Sequence, residues 1–470
     1  MARHQGRQLD HDGVIASLRL VPRQDNLVHY KSPRQMKFLL HSHFPAGHVY
    51  PMQAVAQALV ARGHDVVWLA SPDNEARVRS VSGAVFAPTR ALAALDGPLM
   101  RANDSGIFGS QRRLLDGRLA AQVADYRAVL AGFAADVILV DVLPFGARAL
   151  CDLGEVGSFA TLGVIPLYTS CVGAPFPASG QMPPGSSSLS SWVRLAVRTL
   201  HHAWYQWITL PLLSRPLLNR QRAELGLPGL SWGEPVEWFR YSGHLHIQAS
   251  SPTLDFHQVP RPRQHRDNIV YVGPLVNQPS ASSVQKLPSW WSQIASHKCV
   301  VAVTQGTLNM NPASLIVPTI QALRDDPSIL LVVLSPYAKD IESRTGSPDN
   351  TYYTEWLPYH VLLPQLRLFI SNGGYGSVTQ ALSHKVPLLC AGWLEDKRDT
   401  AARVVWSGAG IDLKTENPSP HQVSTAVRKI LGDASYQARV EELGDALNSL
   451  GGANRACHML EALVKKSQAQ

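Results

Sequence analysis

The feature that most limits how this chain can fold is a glycine-rich turn set between two short apolar runs. Leu366–Ser371 is apolar and rich in β-formers and stops at glycines, the pattern of a buried strand. Asn372-Gly373-Gly374-Tyr375-Gly376-Ser377 follows as a turn of residues that tolerate positive φ. Val378–His384 reads as a helix and Val386–Ala391 as the next strand. Strand, glycine turn, helix and strand in that order make half of a doubly wound parallel sheet. Such a turn leaves backbone N–H groups unpaired at a helix N-terminus, where the dipole is positive and a phosphate can sit. The same turn can serve plain close packing, and the turn alone leaves both readings open.

At 470 residues the chain has room for two domains, and 45% hydrophobic against 17% charged residues supplies large cores. The net charge of +8 comes from scattered Lys and Arg, without a basic block or an aromatic-interleaved basic stripe. That favours an anionic small molecule over nucleic acid. Cys151, Cys171, Cys299, Cys390 and Cys457 lie far apart with no C-x-x-C pair. They read as reduced thiols in a cytoplasmic setting rather than a zinc site. No apolar run reaches 18 residues and no apolar signal core opens the chain. Residues 1–35 are polar and aperiodic, which reads as a disordered leader. Asp10-His11-Asp12 there is formally a D-x-D metal–nucleotide pattern, but no strand precedes it.

Regular structure is expected from Met36. Lys37–His41 reads as a strand, Phe44–His48 as a loop, Val49–Arg62 as a helix capped by Gly63, and Val66–Ala70 as a strand. His41 and His43 read as packing residues and His64 as structural. Asp136–Val140 is a further buried strand. Asp141 at its end either faces a cleft, as residues at the C-terminal ends of parallel strands do, or caps a helix over Phe145–Cys151. Gly173–Ser191 is a long uncharged Gly/Pro/Ser loop, and Trp192, Trp204, Tyr205, Trp207 and Ile208 follow in an amphipathic stretch. That stretch has three readings: an aromatic wall for a lipophilic ligand, a core helix, or a helix lying on a membrane surface. His246–Ser250, Val300–Thr304 and Ile329–Leu334 read as strands, Pro318–Arg324 as a helix, and Glu441–Lys466 as one final helix.

In this arrangement the chain resembles the family 1 glycosyltransferases, which use UDP-sugars. Their nucleotide-sugar signature runs W-x-P-Q, a buried strand, H-x-G-x-x-S/T-x-x-E, G-V-P and then D/E-Q. Trp356 and Pro358 match it, Asn372 falls 16 residues on from Trp356 without a gap, and Gly374, Ser377, Val386, Pro387 and Glu395 are in register. The chain departs from it at Tyr359 for Gln, Asn372 for His, Gln380 for Glu and Asp396 for Gln. Asn and Gln still hydrogen-bond a diphosphate or ribose hydroxyl, but not as charged partners. The opening segment F-P-x-x-G-H-x-x-P…L-x-x-R-G-H-x-V is matched at Pro45, Gly47, His48, Pro51, Leu59, Arg62, Gly63, His64 and Val66. Tyr271–Leu275 fits the family's Y-V-G-P-L element.

The resemblance implies an α/β fold of the GT-B kind: two facing Rossmann-like domains with parallel sheets and an interdomain cleft. Residues 36–250 would bind the acceptor, 251–288 would link, 289–445 would hold the nucleotide sugar, and 446–470 would cross back as a helix. It implies His48 as the general base and Asp141 as its hydrogen-bonded partner. Trp356 would stack on uracil, and Thr307, Asn372, Gly374 and Ser377 would hold the diphosphate. Gln380 would reach the ribose, and Glu395 and Asp396 the sugar. Trp192, Trp204, Tyr205 and Trp207 would line the acceptor site, with a peripheral membrane contact open to the same stretch. The implied reaction is inverting transfer of a hexose, glucose first, from UDP to a small lipophilic acceptor. It calls for no cofactor and no metal, the UDP-sugar being a co-substrate. Two other classes stay open. A nicotinamide or flavin oxidoreductase would show G-x-G-x-x-G near the first strand, which Phe44–His48 lacks. A catalytically silent nucleotide-sugar binder would accommodate the departures at Asn372, Gln380 and Asp396.

Overall fold

The computed structural model describes residues 34–101, 112, 115–168, 175, 177, 179–183, 189–204, 208, 210–230, 240–256, 268–277, 287–306 and 311–469. The chain divides into two units, Met1–Gln35 and Met36–Gln470, and every described strand and helix belongs to the second. Residues 1–33, with the D-x-D, lie outside the described residues.

The strands are runs of Val, Ile, Leu and Phe buried on both faces, as parallel strands covered by helices must be. Seven form the first sheet: β1 (Lys37–His41), β2 (Asp65–Ala70), β3 (Ala84–Pro88), β4 (Val137–Val140), β5 (Phe159–Gly163), β6 (Leu245–Gln248) and β7 (Ile269–Tyr271). Their spatial order is β3-β2-β1-β4-β5-β6-β7, all parallel. Six form the second: β8 (Val300–Thr304), β9 (Leu330–Leu334), β10 (Thr351–Thr354), β11 (Leu368–Ser371), β12 (Leu388–Cys390) and β13 (Gly410–Asp412). Their order is β10-β9-β8-β11-β12-β13, again all parallel. Alternate residues feed opposite faces: Phe38 and Leu40 join one core cluster of the first sheet, while Leu39 joins the other. Val301 and Val303 part from Val300 and Ala302 in the same way. In each sheet the chain order reverses once, between β1 and β4 and between β8 and β11. Crevices at such reversals, beyond the C-terminal strand ends, are where doubly wound sheets bind ligands.

Several boundaries differ from the sequence reading. The first helix spans Ala46–Ala61, not Val49–Arg62, because Pro45 is extended and serves as its N-cap. His48 therefore lies in a first turn rather than in a loop. The second glycine turn is shorter than expected. Only Gly373 takes positive φ, Gly374 caps, and the helix runs Tyr375–Ser383. Its flanking strands shrink to Leu368–Ser371 and Leu388–Cys390. Residues 269–271, read as connection, pair with β6 as the seventh strand of the first sheet. The expected single terminal helix is two, Ala434–Asn448 and Gly452–Gln468, because Gly451 and Gly452 both take positive φ and stop the first. The second packs on the Ala46 helix, with Ala456, Cys457, Leu460 and Val464 in the first sheet's core. Glu461 receives Arg62 and His64. Beside this crossing, Gly452 N–H donates to the Val272 carbonyl at 2.7 Å. A Cβ on Gly273 would stand 2.4 Å from the Leu447 carbonyl oxygen, so that approach requires glycine.

The two sheets are joined by a buried ion pair. Arg403, on the helix Lys397–Trp406, donates Nε–H to Asp255 at 2.6 Å with both side chains under 5% exposed. The Arg403 guanidinium also donates to the carbonyls of Leu167 and Asp399, at 2.9 and 3.0 Å, and lies over the Phe256 ring. Tyr271 donates to the other Asp255 oxygen at 2.8 Å. A buried pair of this kind is costly to break from one side, since the remaining charge stays desolvated. Asp255→Ala is expected to destabilise the fold by about 3–5 kcal/mol, read as a lowered urea midpoint.

Candidate active site

Each reversal point carries its own polar cluster. Beyond β1 and β4 stand His48 and Asp141. Asp141 is almost fully buried and accepts three hydrogen bonds: from Val142 N–H at 2.6 Å, His43 N–H at 2.9 Å and the His48 ring at 2.9 Å. The helix Phe145–Asp152 has Pro144 at its N-cap and no side-chain cap, which removes the capping alternative for Asp141. A carboxylate only accepts, so His48 Nδ1 carries the hydrogen and Nε2 keeps its lone pair. The His48 side chain is 19% exposed, so the ring is not sealed from the cleft. Burial pulls the His48 imidazole down, but the Asp141 charge and hydrogen bond, with Asp396 and Glu395 behind them, outweigh it and its pKa is raised. His43 lies edge-on to His48 at 5.4 Å. Burial, then the neighbouring His48, hold His43 well below the usual histidine range. His41 is fully packed against Tyr126 and falls to about 4 through burial.

Beyond β8 and β11 stand Gln305, Gly306 and Asn372. Asn372 is 6% exposed, and its Nδ2 has no hydrogen-bond partner among the described residues. The Asn372 amide lies over Gly306, where a Cβ would meet it at 3.2 Å. A buried amide left without a partner costs about 1–3 kcal/mol, and a ligand oxygen at this strand end would offset that cost. The helix Tyr375–Ser383 begins two residues on from Gly373, and its N-cap, Gly374, has no side chain to cap it. Its first-turn N–H groups and the Asn372 amide share one end of the sheet, a ready anion seat. A Cβ on Gly392 would stand 2.0 Å from the Asn372 carbonyl oxygen, so glycine is required there too.

Trp356 follows β10 and is 56% exposed. Ser377 Oγ is 3.4 Å from Tyr359 Oη, so the departure at Tyr359 touches the anion seat. Gln380 folds its amide back onto the Gly376 carbonyl at 3.2 Å. Glu395 adopts φ 58°, a left-handed conformation uncommon for a non-glycine residue, and pairs with buried Lys397 at 2.7 Å. Asp396 is pushed up to about 6, by burial first and the Glu395 charge second. Trp204 is 60% exposed on the helix Leu189–Trp204. Thr307, Tyr205, Trp207 and the Trp192 side chain lie outside the described residues.

Sequence reasoning missed the groups that join the two clusters. Gln248, at the end of β6, donates to Tyr375 Oη at 2.7 Å and to the Ile165 carbonyl at 2.9 Å. It thereby ties the first sheet to the first residue of the anion-seat helix. His246 and Thr161 continue that buried chain of polar contacts, at 2.9 and 2.8 Å. Gly180 N–H donates to Asp399 at 2.9 Å, so part of the Gly/Pro/Ser loop reaches the helix that follows Asp396. None of these pairs carries a local motif.

The profile of the erythromycin biosynthesis protein CIII-like C-terminal domain matches residues 329–461. The chain is 30% identical over 430 residues to 4'-demethylrebeccamycin synthase of Lentzea aerocolonigenes, covering 89% of this chain and 97% of the relative. It is 30% identical over 432 residues to UDP-glycosyltransferase 2 of Phaeomoniella chlamydospora, covering 86% and 92%. Among solved structures, the calicheamicin glycosyltransferase CalG4 superposes with a TM-score of 0.66 at 20% identity, over 92% of this chain and 99% of that one, a likeness of fold.

The electrostatics of the His48 pair generate a direct expectation. The imidazole should titrate above the ordinary 6.5 in histidine NMR. In Asp141→Asn the charge is gone while burial stays, so the midpoint should fall. An unchanged midpoint would remove Asp141 as the source of the shift.

Proposed function

The chain belongs to the family 1 UDP-glycosyltransferases, and from that premise we propose that it transfers a hexose, glucose first, to a hydroxyl of a small lipophilic acceptor with inversion at the anomeric carbon. As a member of this family it is an enzyme that takes its sugar from a UDP-sugar. The oxidoreductase and silent-binder readings fall with the assignment.

The observation that carries the proposed mechanism is the His48–Asp141 contact at the first reversal point, with Asp396 and Glu395 near enough to act on His48 electrostatically. His48 Nε2 takes the acceptor hydroxyl proton as that oxygen attacks the anomeric carbon. The bond from that carbon to the diphosphate oxygen breaks on the opposite face, which inverts the centre. Asp141 holds the imidazole in the right tautomer and stabilises the imidazolium that forms. The departing UDP carries its new charge into the seat formed by Asn372 and the N–H groups of the Tyr375 helix, with Ser377 beside them. That seat supplies the neutralisation a metal would otherwise give, so turnover should not depend on an added divalent ion. Trp356 presents its face to the uracil, Gln380 reaches the ribose by turning from its helix, and Glu395 and Asp396 take the sugar hydroxyls. Thr307, Trp192, Tyr205 and Trp207 keep the donor and acceptor roles that the resemblance gives them, while Trp204, 60% exposed on its helix, is not used as an acceptor contact.

His48→Ala should lower turnover about 10²–10⁴-fold, the usual worth of a positioned base. The assay is UDP release from UDP-glucose with a panel of phenols, sterols and hydroxy-lipids. UDP affinity should be kept, because the nucleotide seat belongs to the second sheet; near-normal turnover on a good acceptor would refute the base. Asn372→Ala should weaken UDP binding by about 1 kcal/mol in calorimetry, the net worth of one hydrogen bond. Asn372→His should be tolerated, and an unchanged UDP affinity in the alanine variant would take Asn372 out of the seat.

A further inference from the structure

The helix Leu189–Trp204 turns an apolar stripe outward. Val193, Val197, Leu200 and Trp204 recur at spacings of four, three and four, one face of an α-helix, and are 56, 61, 71 and 60% exposed. Isolated exposed apolar residues are ordinary, but four in register on one helix form a continuous patch. Ile208 and Leu212, further along the chain, are exposed as well.

The surrounding sequence gives the patch a sign. From Val156 through Ala223 there is no Asp or Glu, while Arg194, Arg198, Arg215, Arg220 and Arg222 fall in that span. Arg220 and Arg222 pair with Asp116 and Asp152, carboxylates from earlier in the chain. In sequence, Arg194, Arg198 and His201 each follow a stripe residue, Val193, Val197 and Leu200, by one position. Arg198 donates to the Met182 carbonyl of the preceding loop. An apolar stripe with a tryptophan, a basic flank and no acid on the helix is the composition of a helix that lies in a bilayer interface. At 16 residues the helix is too short to span a bilayer, and no helix among the described residues is long and apolar enough to cross one. A second copy of the chain fits less well, since a symmetric pairing would set the same basic flank against itself.

We infer that the Leu189–Trp204 helix docks the enzyme on an anionic lipid surface, with its stripe in the acyl boundary and its basic flank among the headgroups. The inference is independent of the transfer chemistry, because binding to lipid needs neither donor nor acceptor. The test is flotation of the full chain with vesicles of phosphatidylcholine alone and of phosphatidylcholine with phosphatidylglycerol. Partition onto the anionic vesicles should exceed that onto neutral ones by about tenfold or more and should fall with salt, since each basic residue near such a surface adds about fivefold. The double substitution Val197→Asp with Leu200→Asp should abolish it. Both positions are mainly exposed, so the variant should keep its melting temperature and its UDP-induced thermal shift. A wild-type chain that ignores anionic vesicles overturns the inference, as does a folded double variant that floats equally well. A lipid-free dimer that the double variant returns to monomer also overturns it, by giving the stripe to a second copy.

Discussion

The Arg403–Asp255 pair is the constraint on which the placement of both halves depends. Its guanidinium touches a carboxylate that follows β6, a carbonyl that follows β5 and a carbonyl on its own helix, and all of them are out of water. Replacing such a pair by well-packed apolar residues is often neutral or stabilising, so its contribution is one of geometry more than of energy. It admits few relative positions of the two sheets. Gln248 and Tyr375 refine that position at the cleft, since their hydrogen bond links a strand end of one sheet to the first residue of the other sheet's anion-seat helix.

The cleft that results places opposite electrostatic demands side by side. Asp141 supports charge on His48, and the Glu395–Asp396 pair adds to that support from the other half. Asp396 in turn is pushed up to about 6 by burial and by Glu395. A carboxyl with that pKa accepts hydrogen bonds above pH 6 and begins to donate below it. The amide usual in the family at this position does not titrate. A sugar contact of the kind proposed above for Asp396 would therefore depend on pH in a way that glutamine would not give.

Much of the fold was legible because buried parallel strands leave long apolar runs and doubly wound sheets leave glycine turns. Lys37–His41 and Val300–Thr304 were located to the residue. The His48–Asp141 contact was legible only through the family pattern, since 93 residues separate the partners. Element ends were less legible. Pro45 and Gly47 read as loop although the chain is already helical at Ala46, and the Gly451-Gly452 break was read through because the apolar period resumes beyond it. Arg403–Asp255 and Gln248–Tyr375 left no trace, because a pair of single polar residues far apart in sequence has neither period nor motif.

The return of the last helix to the first sheet means that the polypeptide passes between the halves twice. The two passages lie against each other, Gly452 bonded to Val272 and Gly273 pressed on the Leu447 carbonyl. Were the halves to move, two adjacent passages would favour a swing about the line through the glycines over a twist or a slide. Opening to admit a nucleotide sugar and closing to shut out water would then be one rotation.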